Sequence, residues 1–229
     1  MDYQDVITSE AKSIILISDD DIWKLLEDSN YTPIFIALRK GPMTVKELEE
    51  EYNKIVEKNI DKMSLDEKER TKLQAKFTRK DKTLYKYLDF LQAKGFIIQV
   101  GKRVKMGQTA TETLYGRAAK AFMYVAEKKA ELSPEDKNKS LKLMEKIISS
   151  ELNLKGIKLD EFYSLYNEIY DEITNEKIRI YTKYSDEITK FTNNFTFEDM
   201  SKFIFVMEFI LYAINAKSYE KKISGSFLK

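Results

Sequence analysis

The sequence predicts a mainly α-helical protein whose first half carries one small β-hairpin, and three observations predict it. Glycine and proline are scarce, 7 and 3 in 229 residues, well under their usual share in globular chains. Five helix-start signals punctuate the chain. A single glycine-bounded stretch is rich in β-branched and aromatic residues, the composition that favours strands.

The elements follow in chain order. Ser18-Asp-Asp-Asp21 precedes Ile22-Trp-Lys-Leu-Leu26 and opens the first helix. Residues 31–40 read as a short helix that stops at Gly41-Pro42. Thr44-Val-Lys-Glu47 is a capping box: the threonine accepts from the backbone three residues on, and the glutamate reaches back. The helix it opens, over 44–52, puts Val45 and Leu48 on one face. Ser64-Leu-Asp-Glu67 reads as a further box. Residues 80–94 predict a helix with Leu84, Leu88 and Leu91 on its core face and Tyr87 beside them, stopped by Gly95. Phe96-Ile-Ile-Gln-Val100 and Thr109-Ala-Thr-Glu-Thr-Leu-Tyr115 then flank the basic loop Gly101-Lys-Arg-Val-Lys-Met-Gly107, a hairpin with a long tip.

Beyond Gly116 the pattern reads as helix to the last residue. Ala118, Phe122 and Val125 begin a helix leaving the hairpin. Ser133-Pro-Glu-Asp136 places proline at the first helical position of the next, over 134–152, with Leu141, Met144 and Ile148 as its stripe. Residues 159–191 carry Leu159, Phe162, Tyr166, Ile169 and Ile173, then Ile180, Tyr184 and Ile188, a seam suited to a helix partner. Thr196-Phe-Glu-Asp199 opens a final helix over 197–217, so apolar across 203–214 that it is expected at the centre of the helical core. Glu208 inside that run is read as an edge carboxylate reaching water or a lysine. The tyrosines at 163, 166, 170, 181, 184 and 212 are read as core or dimer interface.

Composition then removes chemistry. With no cysteine and no histidine, disulfides, thiolate metal sites, Ser-His triads and imidazole bases are excluded. No glycine-rich phosphate loop or nucleophile elbow is present. The paired carboxylates around Glu161, Glu168, Asp171 and Glu172 read as a solvated helix face. The expectation is a protein that is not an enzyme and has no cofactor. The apolar run at 203–214 is too short for a bilayer and the first ten residues lack a signal-peptide pattern, so a cytoplasmic, nucleoid-associated location is expected.

Charge points to a partner. Lysines and arginines number 39 and carboxylates 38, a net charge of +1. Between Lys72 and Met106, however, ten cations face only Asp81 and Asp89, a local net of +8 against −7 for the remainder. Helix, helix, helix, hairpin is also the element order of a winged helix-turn-helix, in which the third helix enters the major groove and the hairpin tip meets phosphates. On that helix Lys82, Tyr85, Lys86 and Asp89 lie opposite the leucine face. Thr83, Tyr85 and Lys86 are expected to face bases, Arg79, Lys80 and Lys82 to hold the DNA backbone at the helix start, and Lys102, Arg103 and Lys105 to be the wing contacts. A solvated basic face without a partner is the competing reading.

These residues resemble the archaeal ArsR-like winged helix-turn-helix regulators. The resemblance spans about residues 18–122. It is carried by Ala37-Leu-Arg-Lys-Gly-Pro-Met-Thr-Val-Lys-Glu-Leu48, Lys82-Thr-Leu-Tyr-Lys-Tyr-Leu88, Leu91-Gln-Ala-Lys-Gly-Phe-Ile97 and Gly107-Gln-Thr-Ala-Thr-Glu-Thr-Leu-Tyr-Gly-Arg117. It implies sequence-specific binding of double-stranded DNA, usually as a homodimer. Two departures stand out. The family's metal sensors use cysteine and histidine, which this chain lacks. Residues 53–77 also lengthen the gap between the two DNA-side helices; they are read as extending the second helix and adding another, with Leu73 and Phe77 packing back and Lys72 and Lys76 near DNA.

The expected organisation is therefore a DNA-binding domain over 1–122 and a helical dimerisation or effector domain over 123–229. The expected function is a homodimeric transcription regulator, its interface drawn from the 159–173 seam and the 203–214 helix. The rival is a winged-helix protein-interaction subunit that does not read DNA. Whether the helical half takes a small-molecule effector stays open.

Overall fold

Every helix-start signal that falls on described residues is followed by a helix, and the caps explain why each begins where it does. The computed structural model describes residues 3–105, 110–125 and 159–227, with the helical positions 139, 142, 143, 146, 147 and 150. The expected Leu141, Met144 and Ile148 stripe lies outside them, as do residues 106–109; of the basic loop expected over 101–107, residues 101–105 instead continue strand β3 (Ile97–Lys105), held by pairing on both sides. The described helices are α1 (Asp20–Glu27), α2 (Thr32–Ala37) with a 3-10 turn at Leu38–Lys40, α3 (Val45–Asp61), α4 (Glu67–Phe77), α5 (Asp81–Ala93), α6 (Leu159–Lys183), α7 (Ser185–Phe191) and α8 (Phe197–Phe227). The strands are β1 (Tyr3–Ile7), β2 (Lys12–Ile17), β3 (Ile97–Lys105), β4 (Thr111–Arg117) and β5 (Ala119–Tyr124). The fold class is mainly α with a small antiparallel sheet.

Asp19 caps α1 by accepting from the N–H groups of Asp21 and Ile22. Thr44 and Glu47 form the full capping box of α3, and Thr196 with Asp199 does the same for α8. The box expected at Ser64 is not formed. Asp66 caps α4 by accepting from Glu69 N–H, because a carboxylate one residue before the helix reaches its first turn directly. The 53–77 segment does lengthen α3 and add α4, with Leu73 and Phe77 packed on the core. At the end of α5, Phe96 N–H donates to Leu91 O and Gly95 N–H to Gln92 O. Gly95 sits at φ +78°, so the helix closes in the Schellman arrangement and the chain turns straight into β3.

The core beneath these helices is built from Ile34, Leu48, Tyr52, Leu84, Leu88, Leu91, Phe96 and Ile97, all 1% exposed or less. Tyr52 is buried whole because its hydroxyl donates to Asn30 O; burial pushes its pKa up to about 12. Phe35, Phe96 and Phe122 meet edge to face, with ring centroids 5.1–6.2 Å apart, the geometry that aromatic quadrupoles favour.

The strands depart from the sequence reading in two places. β1 pairs antiparallel with β3, so the hairpin β3–β4 becomes a three-stranded sheet in the order β1-β3-β4. β2 pairs parallel with β5. Residues 118–125 were expected to begin a helix and instead form β5, whose burial alternates strictly: Ala119, Ala121 and Met123 inside, Lys120, Phe122 and Tyr124 half-buried. The partner that fixes this alternation lies about a hundred residues earlier, so no local pattern reveals it.

By contacts the chain forms two compact units, Met1–Tyr124 with Asp186–Met200, and Val125–Ser185 with Ser201–Lys229. The first unit thus takes in a segment from late in the sequence, where Thr192 bonds Ser13 at 2.5 Å. In the second unit the expected single helix over 159–191 is broken near Tyr184, and Ile173 of α6 packs with Leu211 and Tyr219 of α8. Glu208 receives a hydrogen bond from buried Lys177. The expectation that the apolar 203–214 run is central is corrected: Phe205, Phe209 and Ile214 are 65–72% exposed. Among the described residues, α8 meets α6 along the face of Glu208, Leu211 and Tyr219.

Candidate nucleic-acid interface

The outward face of α5 follows from the inward one. Because Leu84, Leu88 and Leu91 are fully buried, helical geometry turns Lys82, Tyr85, Lys86 and Asp89 to solvent. All four are exposed and Thr83 is half-buried. Lys82 and Lys86 form no ion pair among the described residues, which leaves both ammonium groups available. Tyr85 is 47% exposed and lies near Tyr115 of β4, whose hydroxyl is pushed above its ordinary pKa first by burial, then by Tyr85 and Asp89.

The start of α5 is less cationic than its sequence implies. Its N-cap residue, Lys80, makes no side-chain cap. Instead Glu49 of α3 accepts from Asp81 N–H at 2.8 Å, and the Asp81 carboxylate accepts from Lys82 N–H. Two carboxylates thus hold the positive end of the helix dipole, where a phosphate would otherwise bind. The Lys80 side chain is 83% exposed and 3.8 Å from Glu49.

Two expected contacts are engaged inside the fold. Arg79 donates Nε–H to the Tyr87 hydroxyl, one terminal nitrogen to the carbonyls of Lys76 and Thr78, and the other to Asn30 Oδ1. Its backbone N–H and carbonyl both bond the Asn53 amide. A planar guanidinium with its donors so directed ties α4, α5 and the α1–α2 turn together. Arg103 makes a two-pronged bond to Asp5 of β1, at 2.6 and 2.8 Å, and a further bond to Glu47 of α3. Its side chain is 16% exposed. Strand pairing sets Asp5 opposite Arg103, so the residue expected as a wing contact is bonded to two carboxylates of its own chain.

The ionic consequences agree. Bonding to Asp5 and Glu47 raises the Arg103 pKa. The Asp5 carboxyl is held below its ordinary value, mainly by its bond from Arg103. Partial burial pushes the Glu47 carboxyl up, but the Thr44 N–H and Arg103 together outweigh it and hold it low.

Along β3, alternation sends Lys102 to the face opposite Arg103. Lys102 is exposed and Lys105 half-buried. Lys102 joins Val6, Val104 and Thr113 around a shallow groove. So the structure keeps Lys80, Lys82, Tyr85, Lys86 and Lys102 exposed, while Arg79 and Arg103 are half-buried and bonded within the fold.

Lys46 was not anticipated. In the first turn of α3, it is 81% exposed and 3.5 Å from Glu112 of β4. Its signal was its position, two residues after the Thr44 cap. Among the described residues, no group of carboxylates is placed to hold a metal ion, and no helix is long and apolar enough to cross a membrane. A search of protein-family models and of curated proteins finds no match to the chain.

Proposed function

We propose that the first unit is a winged helix-turn-helix of the ArsR-like kind and that the chain is a DNA-binding transcription regulator, not an enzyme, acting in the cytoplasm. The observation that carries the reading is the exposed Lys82-Tyr85-Lys86 face of α5. That helix follows a capped helix and leads through a tight glycine turn into an antiparallel hairpin. Lys82 and Lys86 reach phosphates or base acceptors, and Tyr85 donates to phosphate or packs on a thymine methyl. Lys80, Lys102 and Lys46 add backbone charge. Thr83, half-buried beside the leucine face, has the least reach of the expected base-facing residues.

With Arg79 and Arg103 bonded within the fold, the cations left at the surface are lysines. Lysine is a point charge and not a two-pronged reader, so the phosphate-directed share of binding is large and the base-directed share rests on few groups. Fluorescence anisotropy with a labelled random duplex tests it. Affinity is expected to fall steeply with salt, with a log–log slope of about −3 to −5 for four or five neutralised phosphates. Absence of binding at about 50 mM salt refutes the proposal.

A protein-interaction role is favoured by one observation, the carboxylates Glu49 and Asp81 at the start of α5. In that reading the lysines meet an acidic protein, duplex binding is absent, and a partner is recovered by pull-down and lost on charge reversal at Lys82 and Lys86.

A further inference from the structure

Away from α5, three cations converge on one cavity. Arg39 lies in the 3-10 turn after α2, Arg117 ends β4, and Lys120 lies in β5. All three line a cavity of about 320 Å³ in the first unit, within the range of small-molecule sites. Glu10 is the one carboxylate on its lining, so the formal charge of the lining is +2. Leu38, Pro42, Phe195 and Phe197 supply apolar wall.

Arg117 is unusual. The residue is only 9% exposed, and its Nε–H has no hydrogen-bond partner. Its guanidinium lies 5.2 Å from the ring centroids of both Phe122 and Phe197. Arg39 lies 3.8 Å from the same Phe197 ring, which brings two like charges together. Burial, and then the charge of Arg39, lower the Arg117 pKa to about 10, so it remains a cation at neutral pH. Neither arginine is ion-paired among the described residues; Glu198 acts on Arg39 only at longer range. A buried cation with an unmet donor beside a second cation is costly for the fold alone. Lys120 is held in place by donating to the carbonyls of Thr192 and Asn193, which leaves the third of its N–H donors unassigned.

We propose that this cavity binds a small phosphate monoester. The dianionic head is received by Arg39 and Arg117, with Lys120 at the margin, and an apolar body lies against Phe195, Phe197 and Leu38. The dianion matches the +2 lining and supplies the acceptor that Arg117 Nε–H lacks. Guanidinium groups are the side chains best shaped for phosphate oxygens. The site lies on the first unit and does not depend on whether α5 reads DNA.

The test uses the full chain, with the arginine Nε–H signals followed by NMR at constant ionic strength and phenyl phosphate, inorganic phosphate and benzoate as probes. Phenyl phosphate is expected to shift the Arg39 and Arg117 signals saturably, with a Kd below about 1 mM. Inorganic phosphate is expected to shift the same signals at least about threefold more weakly, since it lacks the apolar body. Benzoate, a monoanion, is expected to bind about tenfold more weakly than phenyl phosphate. Arg39→Gln, at a surface position, is expected to weaken phenyl phosphate about tenfold while the protein stays folded, and Arg117→Lys is the second variant. An unshifted Arg117 signal, non-saturating shifts, or an unchanged Kd in Arg39→Gln overturns the site. Benzoate binding as tightly as phenyl phosphate overturns the assignment to a dianion.

Discussion

A residue's reach is decided by its partners as much as by its charge, and Arg103 and Lys86 make the contrast. Arg103 joins β1, β3 and α3 through Asp5 and Glu47. Arg103→Ala is expected to destabilise the first unit by about 1–2 kcal/mol, since bonds to charged groups contribute about 1.5–3 kcal/mol and both carboxylates remain more than a third exposed and screened. The pH dependence has a definite sign. Both carboxyls are held below their ordinary values, so their contribution is complete above about pH 4.5 and is lost as pH falls through the depressed values. Urea melts at pH 7 and near pH 3 are expected to show the wild type and Arg103→Ala converging at the acid end; a constant gap contradicts the assignment. Lys86→Ala is expected to leave those melts unchanged. On cognate DNA it is expected to cost about 1–3 kcal/mol if Lys86 reads a base, and anisotropy on matched and mismatched duplexes measures it.

At the level of elements, what was legible in the sequence was what local chemistry controls. The capping box at Thr44, the leucine face of α5, the Gly95 stop and the β3–β4 hairpin are all signalled within four or five residues, and each is observed. The β1, β2 and β5 strands were not legible, because each is stabilised by a partner about a hundred residues away. For the same reason the charge count misjudged the candidate interface: Asp5 and Glu47, which engage Arg103, and Glu49, which bonds the start of α5, come from β1 and α3, outside the 72–106 window. Gly101 shows how close this distant pairing is. A Cβ there would lie 2.0 Å from Val6 O, beside the irregularity in β3 between Gln99 and Gly101. Gly101→Ala is expected to push β1 off the sheet at a cost of about 1–3 kcal/mol. Hydrogen exchange checks it at Thr8 and Ser9, whose N–H groups both donate to Val100 O; retained protection there contradicts the prediction.

For the whole molecule the remaining question is what meets the outer face of α8. On the proposed DNA-binding reading, one winged helix with about three reading residues would specify few base pairs, each contact giving only about 1–3 kcal/mol of discrimination, and a two-fold dimer would double the site. Of the 159–173 seam, Ile169 and Ile173 pack within the chain, with Leu211 and Tyr219. The opposite side of α8 has no such packing among the described residues. Phe205 and Phe209 form one row at four-residue spacing, and Val206, Ile210 and Ile214 form the next, with exposures from 41% to 72%. Two adjacent apolar rows facing water are the mark of an interaction surface. A straight helix paired with its own copy about a two-fold axis covers both rows at once. We therefore expect a homodimer through α8. Light scattering behind size exclusion, at about 10 μM, a concentration that populates interfaces with Kd near 1 μM, is expected to return twice the 26.9 kDa of one chain. Phe209→Lys places a charge in the middle of the interface and is expected to return the single-chain mass with thermal stability unchanged, because Phe209 is 65% exposed and contributes little to the fold of one chain. A wild-type mass near 26.9 kDa, or a dimer that survives Phe209→Lys, removes α8 as the dimer interface.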